Sequence, residues 1–414
     1  MTTSHNAGLC RFCAEPLREE VIDLGVQPLA NALRSKETPD TPEQCYPLRV
    51  MVCGKCYLVQ LQEFASPDTL FSDYVYFSSF SESWLRHAET FSAESINRLG
   101  LGKNSFVVEV ASNDGYLLQY FQREGVPVLG IDPAVNVASE AQAKGIDTLV
   151  RFFGAETARE VLGRSGAADL IIANNVMAHV PDLNDFVAGL KILLAPKGVV
   201  SIECPHLMNL ITECQFDTIY HEHFSYFSLL TIEQIFTAHG MEIFDVEILS
   251  THGGSLRIFA GFPGTHAIQS KNLSNVRKQE SDIRLDDFTT YQAFAGQAHR
   301  VRGELYDFIK FEQSKGRRFA GYGAPAKGNT FLNFCGIGPD MIPFTVDRSP
   351  HKVGHFLPGS GIPVRNIEAI REQKPDYLLI LPWNWQTEIV NQMSYIKEWG
   401  GQFVIAIPKL TVLQ

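Results

Sequence analysis

Basic runs are missing from this 414-residue chain: Lys and Arg number 35 against 46 acids, and the net charge is −11. Nucleic acid and anionic membrane surfaces both require clustered positive charge, so neither is an expected partner. No apolar stretch is long enough to cross a bilayer. The opening Met-Thr-Thr-Ser-His-Asn has no basic segment followed by an apolar one, so no secretory leader is read there. The expected compartment is the cytoplasm. A third absence concerns the first strong buried strand, which no intact G-x-G-x-x-G follows. That removes the usual cradle for a dinucleotide pyrophosphate. What remains is an ordinary globular composition, 45% hydrophobic and 20% charged, with room for two or three cores.

The stretch Phe106-Val-Val-Glu-Val-Ala-Ser-Asn-Asp-Gly-Tyr-Leu-Leu118 is where a ligand is expected. A β-branched run (Val107, Val108, Val110) gives way to turn-prone residues, then to a helical pattern in Leu117, Leu118 and Phe121. Where the dinucleotide turn has glycines, this one has Glu109, Ala111, Asn113 and Gly115, with Asp114 inside the loop. Two carboxylates repel a pyrophosphate and suit a ligand that carries positive charge and no phosphate. S-adenosylmethionine (SAM), with an amino group and a sulfonium, is such a ligand. The next strand, 128–131, ends in Asp132, placed to accept hydrogen bonds from ribose hydroxyls. The plain alternative is a tight strand-to-helix connection.

Cys10-Arg-Phe-Cys13 and Cys53-Gly-Lys-Cys56 are two Cys-x-x-Cys knuckles at matched spacing. Paired thiolates of this kind grip two sides of a tetrahedral zinc, and four sulfurs close its shell, so the metal is expected to be structural. Free buried thiols or two redox dithiols are the alternatives. Neither accounts for the shared spacing. Cys45, Cys204, Cys214 and Cys335 lack such partners and are expected in cores. The aromatic segment holding Tyr74, Tyr76 and Phe77 either packs at a domain junction or covers a sugar or base there. A helix is expected from about residue 82 to 99.

From residue 105 the pattern alternates as a parallel sheet requires: strands at 106–110, 128–131, 147–150, 169–173 and 198–203, helices between, then a hairpin of 241–249 with 255–261. This stretch resembles the class I SAM-dependent methyltransferases. The resemblance implies that the first turn holds the methionine end of SAM and Asp132 the ribose. It also implies that the loop Asn174-Asn-Val-Met-Ala-His179 lies beside the methyl group, so Asn174 and Asn175 join the cofactor candidates.

A polar, mostly helical bridge covers 264–317, and a second α/β cycle follows. Its turn, Gly323-Ala-Pro-Ala-Lys-Gly-Asn329, carries Lys327 and no acid, which suits a phosphate group; Arg348 and Lys352 add positive charge after the next strand, 342–346. A solvated basic corner is the alternative. Further strands are expected at 376–382 and 403–407, with a helix up to Trp399 between them. The fold class is thus α/β in three parts: a zinc-binding module (1–67), a SAM methyltransferase Rossmann-like domain (68–263), and a helical linker with an abbreviated Rossmann-like domain (264–414).

Tyr220-His-Glu-His-Phe224 gathers two imidazoles, a carboxylate and a phenol. Metal ligation and a buried structural network are open, and general acid–base work is favoured, because histidine exchanges protons near neutral pH. Taken in order, the paired knuckles, Val-Val-Glu-Val-Ala-Ser-Asn-Asp-Gly, Tyr-His-Glu-His-Phe, Gly-Tyr-Gly-Ala-Pro-Ala-Lys-Gly-Asn and the late Leu-Pro-Trp-Asn resemble the nucleotide-deoxysugar C-methyltransferases of antibiotic pathways. The similarity spans the whole chain and is greatest to the branch that methylates C3 in tetronitrose biosynthesis. This chain departs in having Ala111, where members often read Gly.

That resemblance implies methyl transfer from SAM to C3 of a dTDP-linked 4-keto-6-deoxysugar, with dTDP-3-amino-2,3,6-trideoxy-4-keto-D-glucose as the substrate of that branch. A carbon beside a ketone becomes nucleophilic only when its proton is removed, and the enolate needs donors at its oxygen. The resemblance assigns His223 as base, His179 and Tyr220 to the C4 oxygen or proton path, and Glu222 to orienting a histidine; the roles of Tyr220, His179 and His223 can be exchanged. It further assigns Lys327, Asn329 and Lys352 to the dTDP end, and Tyr74, Tyr76 and Phe77 to the sugar. An O- or N-methyltransferase, or a non-catalytic zinc- and SAM-binding protein, would share parts of this set. The sequence does not give the oligomeric state, and a monomer is compatible with it.

Overall fold

The structure is a computed structural model and describes residues 8–35, 42–62 and 77–413. Tyr74 and Tyr76, expected at the sugar, lie outside the described residues. The chain forms two compact units, each assembled from separated stretches. The first comprises Met1–Arg18, Cys53–His206 and Phe224–Arg284; the second comprises Glu19–Val52, Leu207–His223 and Leu285–Gln414. The two knuckles therefore belong to the first unit, and Glu19–Val52, between them, to the second.

In chain order, β1 (Glu19–Pro28) and β2 (Cys45–Val52) make an antiparallel hairpin in the second unit. β3 (Val59–Leu61) is followed by α1 (Glu82–Leu99), which realises the expected helix. Its cap Ser81 accepts the Trp84 N–H, and Gly100 ends it at φ 63. Next come β4 (Val107–Val110), α2 (Leu118–Arg123), β5 (Val128–Ile131), α3 (Val135–Ala143), β6 (Thr148–Leu149) and α4 (Ala155–Ser165). β7 (Ala168–Asn174), α5 (Leu183–Leu193) and β8 (Leu194–Pro205) complete the parallel part. α6 (Leu207–Thr212) lies in the second unit, and β9 (Ser225–Tyr226) pairs antiparallel with β3 in the first. α7 (Leu229–Ala238) leads to the expected hairpin, β10 (Glu242–Leu249) with β11 (Ser255–Gly261), and α8 (Ser270–Asp282) ends the unit.

The first sheet has the order β10-β11-β8-β7-β4-β5-β6. β4 lies between β5 and β7, so the chain reverses its direction of travel there, and a crevice opens at the C-terminal ends of β4 and β7. Val108, Val110, Ile171, Ala173 and Ile202 face one core, while Val107, Leu170, Ile172 and Val199 face another. Helices cover both sides, which is why these strands are mostly apolar, with Glu109 in β4 and Glu203 in β8 as exceptions.

In the second unit, α9 (Phe288–Ser314) precedes β12 (Phe319–Tyr322), α10 (Ala326–Cys335), β13 (Thr345–Val346), β14 (Val364–Arg365) and α11 (Glu368–Gln373). β15 (Tyr377–Ile380), α12 (Gln386–Gln392), β16 (Gln402–Ile405) and β17 (Thr411–Leu413) follow. The order β14-β13-β12-β15-β16-β17 again puts a switch point at the first strand, here β12.

Some expectations are corrected. The strand expected over 342–346 pairs only at Thr345 and Val346, because Pro343 has no N–H for a ladder. The helix expected up to Trp399 stops at Gln392 and continues as a 3₁₀ segment, Ser394–Trp399. Cys204, Cys214 and Cys335 are buried as expected, but Cys45 is exposed at the start of β2. Among the described residues no helix is long and apolar enough to cross a membrane.

Candidate active site

The two knuckles have one local design. Each closes with a left-handed residue just after its second cysteine, Ala14 at φ 57 and Tyr57 at φ 61. Backbone bonds from Ala14 to Cys10 (2.9 Å) and from Tyr57 to Cys53 (3.0 Å) hold the turns. The sulfurs of Cys10 and Cys56 are 3.5 Å apart, those of Cys13 and Cys53 3.5 Å, and those of Cys13 and Cys56 3.6 Å. All four lie within 4.8 Å of one another. A tetrahedron of zinc–sulfur bonds of about 2.3 Å has edges just under 4 Å, so the donor set fits. N–H groups support the sulfurs: Gln60 Nε2 donates to Cys10 at 3.3 Å and the Lys55 amide to Cys53 at 3.4 Å. The hydrogen bond with Cys56 brings Cys10 down to about 5 and pushes Cys56 up, while burial raises Cys13 to about 11. The module also grips the chain after β7. Arg11 donates to the Pro181 carbonyl at 3.0 Å, and Asn184 donates to the Phe12 carbonyl at 2.9 Å. These contacts fix the residues just beyond His179, which ends the 3₁₀ turn Met177–His179.

The first glycine-type turn is folded tightly against β5. Ala111, Asn113 and Gly115 have φ of 57, 50 and 75, so three alternate residues are left-handed. A Cβ on Gly115 would come 2.3 Å from Ile146 Cδ1, which is why this position is glycine. Asp132 braces the turn: its Oδ2 accepts the Asn113 amide at 2.9 Å, and its Oδ1 accepts the Ala134 amide at 2.9 Å. Asp114 is fully buried and accepts from Lys144 Nζ at 3.1 Å and from Ser79 Oγ. Asn113 Oδ1 accepts the Ser78 amide at 3.0 Å, so two residues beside Phe77 are fastened to the turn. Phe77 itself stacks on Phe80, centroids 5.4 Å apart. Just past β7, Asn175 is left-handed at φ 53, and its amide donates to the Glu203 carbonyl at 2.8 Å.

Several acceptor oxygens on these turns have no donor: Glu109 Oε2, Ser112 Oγ, Asp114 Oδ1, Asn174 Oδ1 and Asn175 Oδ1 are buried without a hydrogen-bond partner. Orphaned buried acceptors call for a donor-rich ligand. Burial, then the charges of Asp132 and Asp114, raises the Glu109 carboxyl well above its ordinary range, and burial also raises Asp132. Together they offer a cation a strongly favourable seat. SAM brings an ammonium, a sulfonium and ribose hydroxyls, and the donor-poor turn fits it.

In the second unit, Tyr220 and His223 lie ring against ring, centroids 4.1 Å apart. His223 Nδ1–H donates to the Thr218 carbonyl at 2.8 Å. A carbonyl can only accept, so this bond assigns the proton to Nδ1 and the basic lone pair to Nε2. Glu222 is 6% exposed, accepts from Asn31 Nδ2 at 2.7 Å, and is pushed by burial from 4.5 up to about 7. His221 turns to the Tyr46 carbonyl of β2 at 3.2 Å.

The second turn carries no acid of its own, as expected, but an acid from outside it, Asp217, acts on Lys327. Burial lowers the pKa of Lys327, and the buried Asp217 carboxylate opposes that. Lys327 Nζ donates to Asn384 Oδ1 at 2.8 Å. Asn329, 1% exposed, donates to the Ala30 carbonyl and keeps Oδ1 unpartnered. Lys352 Nζ donates to the Ala324 carbonyl at 2.9 Å.

One cluster went unnoticed in the sequence. Glu203, fully buried at the end of β8, receives Arg257 Nε at 2.8 Å and lies 2.9 Å from His87 Nε2. Burial would raise its carboxyl, but His87 and Arg257 outweigh that and hold it low. His87 stacks on Trp84 at 4.8 Å, and Trp84 on Tyr116 of the first turn at 6.0 Å. The only available signal was an acid ending a buried strand.

Sheet order, acid-braced turn and four-sulfur cluster together define a class I SAM-dependent methyltransferase with a structural zinc site. Family models match along the chain: a zinc binding domain at residues 10–71, a methyltransferase domain at 84–246, and a C-methyltransferase C-terminal domain at 250–408. C-methyltransferase NovU of Streptomyces niveus is 36% identical over 404 residues, 98% of this chain and 96% of that protein. The chain belongs to the family of SAM-dependent C-methyltransferases related to NovU. Among solved structures, the magnesium protoporphyrin IX methyltransferase ChlM of Synechocystis with bound SAM aligns at TM-score 0.33 and 16% identity, covering 43% of this chain and 79% of that one. A SAM-dependent methyltransferase of Clostridium acetobutylicum aligns at 0.36 and 12%, covering 44% and 92%. Likenesses at these scores add nothing to the assignment.

Proposed function

We propose that this C-methyltransferase acts on C3 of a dTDP-linked 4-keto-6-deoxysugar in antibiotic deoxysugar biosynthesis, with dTDP-3-amino-2,3,6-trideoxy-4-keto-D-glucose as substrate. The observation that carries the reading is the hydrogen bond from His223 Nδ1–H to the Thr218 carbonyl, which fixes the tautomer in which Nε2 is the ring's acceptor nitrogen. Bound SAM supplies the electrophilic methyl group. Glu109, Ala111, Asn113, Asp114, Gly115, Asp132, Asn174 and Asn175 would hold it.

His223 Nε2 takes the C3 proton, leaving an enolate whose negative charge develops at the C4 oxygen. Tyr220 and His179 serve that oxygen or carry the proton away; Tyr220 is within ring contact of His223. Glu222 keeps the motif in place and, with its carboxyl near neutrality, can share the proton. Lys327, Asn329 and Lys352 bind the nucleotide end, and Tyr74, Tyr76 and Phe77 cover the sugar. If the base and the methyl donor lie on opposite faces of the sugar ring, C3 inverts. The stretches 1–67, 68–263 and 264–414 serve this scheme as metal, methyl-donor and nucleotide-sugar modules.

Replacing His223 by Asn tests the assignment. The loss of a general base lowers kcat by roughly 10²–10⁴. SAM affinity should stay within about twofold, since the variant leaves every SAM-binding residue in place. Retained turnover would remove His223 from the chemistry. Mass analysis of products from a set of dTDP-4-keto sugars identifies the substrate.

A further inference from the structure

The second sheet has its own switch point. Because β12 lies between β13 and β15, the turn 323–327 and the stretch 382–384 border one crevice. The walls meet at glycines: a Cβ on Gly323 would lie 2.6 Å from Pro382 Cδ, and one on Gly328 would lie 3.0 Å from Leu381 Cβ. Asp347 braces this turn as Asp132 braces the first, with Oδ2 accepting the Ala324 amide and Oδ1 the Ser349 amide, both at 2.8 Å. Side chains from the two walls then join. Lys327 Nζ donates to Asn384 Oδ1 at 2.8 Å and sits 4.6 Å from the centroid of the Trp383 ring. The indole Nε1–H donates to Asp217 Oδ2 at 2.7 Å. Asp217 is 1% exposed, and its Oδ1 is buried without a partner. The Leu-Pro-Trp-Asn stretch thus holds the one lysine on the turn.

We propose that Asn384 and Lys327 form the diphosphate subsite of this crevice, and that Trp383, anchored by Asp217, positions the ammonium. The assignment rests on the nucleotide-sugar reading above and deepens it. Asn384 presents its carbonyl to Lys327, so its Nδ2 hydrogens are left to donate to a phosphate oxygen. The ring face holds the ammonium without neutralising it, as a carboxylate there would. Asp217 accepts the indole N–H and is too buried to meet the ligand, so it acts through Trp383. A half-buried ammonium held by a carboxamide and an indole, with the nearby Asp217 committed to the indole N–H, has room for an anionic partner, and a diphosphate provides one.

The test is calorimetric titration of thymidine diphosphate (dTDP) into the full-length, zinc-loaded protein, with SAM titrated in parallel. Asn384→Ala should weaken dTDP about fivefold, as for a lost hydrogen bond to a charged group. Asn384→Asp, nearly isosteric but anionic, should weaken it roughly 20-fold or more, because it cancels Lys327 and repels the ligand. Trp383→Phe keeps the ring, loses the bond to Asp217, and should weaken dTDP about three- to fivefold. SAM should bind all three within twofold, and their circular dichroism and thermal midpoints should match wild type, which shows that both units keep their fold. Wild-type affinity in the three variants, or Asn384→Asp binding no worse than Asn384→Ala, would overturn the subsite alone. Failure of the wild type to bind dTDP while binding SAM would overturn both the subsite and the nucleotide-sugar reading.

Discussion

Glu222 offers a stability test with a worked magnitude. Burial raises its carboxyl from 4.5 to about 7, while the hydrogen bond from Asn31 opposes the rise only in part. The native state therefore binds this proton more tightly than the unfolded chain does. Its contribution is neutral in acid, where both states are protonated. It becomes unfavourable as pH climbs from 4.5 to 7, and is constant above that. At about 1.4 kcal/mol per tenfold in proton affinity, the native protein is destabilised by about 3 kcal/mol at pH 8 and by less than about 1 kcal/mol at pH 5. Glu222→Gln keeps an oxygen for Asn31 and cannot ionise, so it should be more stable than wild type by that amount. In a domain of this size the gain corresponds to roughly 5–10 °C in the midpoint of the transition that contains residue 222. The assay is thermal or urea denaturation of both proteins across pH 5–8. The reasoning fails if the variant is no more stable at pH 8, or if its advantage does not shrink toward pH 5. A chain that keeps so costly a carboxylate beside two histidines is using it, and the variant should lose activity as it gains stability.

Two further outcomes follow from the first unit. SAM should bind more tightly as pH rises above the ordinary carboxyl range, by at most about tenfold per pH unit for each carboxyl that titrates, and should release protons, because a cation favours the ionised forms of Glu109 and Asp132, whose carboxyls are raised. Calorimetry in buffers of different ionisation enthalpy checks this; flat affinity without proton release would contradict it. The protein should carry one zinc per chain, and Cys53→Ser should cut the metal content below about a fifth and lower the first thermal transition by roughly 5–10 °C. Elemental analysis with full zinc retention in that variant would refute the four-sulfur site.

Local chemistry was legible where it repeats at short range. The knuckles, the strand-turn-helix at residues 106–118 and the acid after β5 each lie within a few residues of sequence, and the parallel order follows from alternation. Even the Gly-to-Ala departure at 111 has a visible cost: Ala111 sits at φ 57, where glycine is at ease. Long-range pairing was not legible. The hairpin β1–β2 carries bulges between Glu20 and Ile22 and between Asp23 and Val26, which break the alternation that would have announced strands. Glu203 meets His87 and Arg257 across separations of 116 and 54 residues, and Lys327 meets Asn384 across 57. No periodicity encodes such meetings; the fold makes them.

The central claim is that an imidazole strips the hydrogen from a ring carbon next to a ketone. Incubating the enzyme in heavy water with the 4-keto nucleotide sugar, and locating label by nuclear magnetic resonance, tests it most directly. Deuterium should enter at C3 with the wild-type protein and not with His223→Asn. Methylated product whose recovered substrate carries no label at C3, or whose new methyl sits on oxygen or nitrogen, would contradict it.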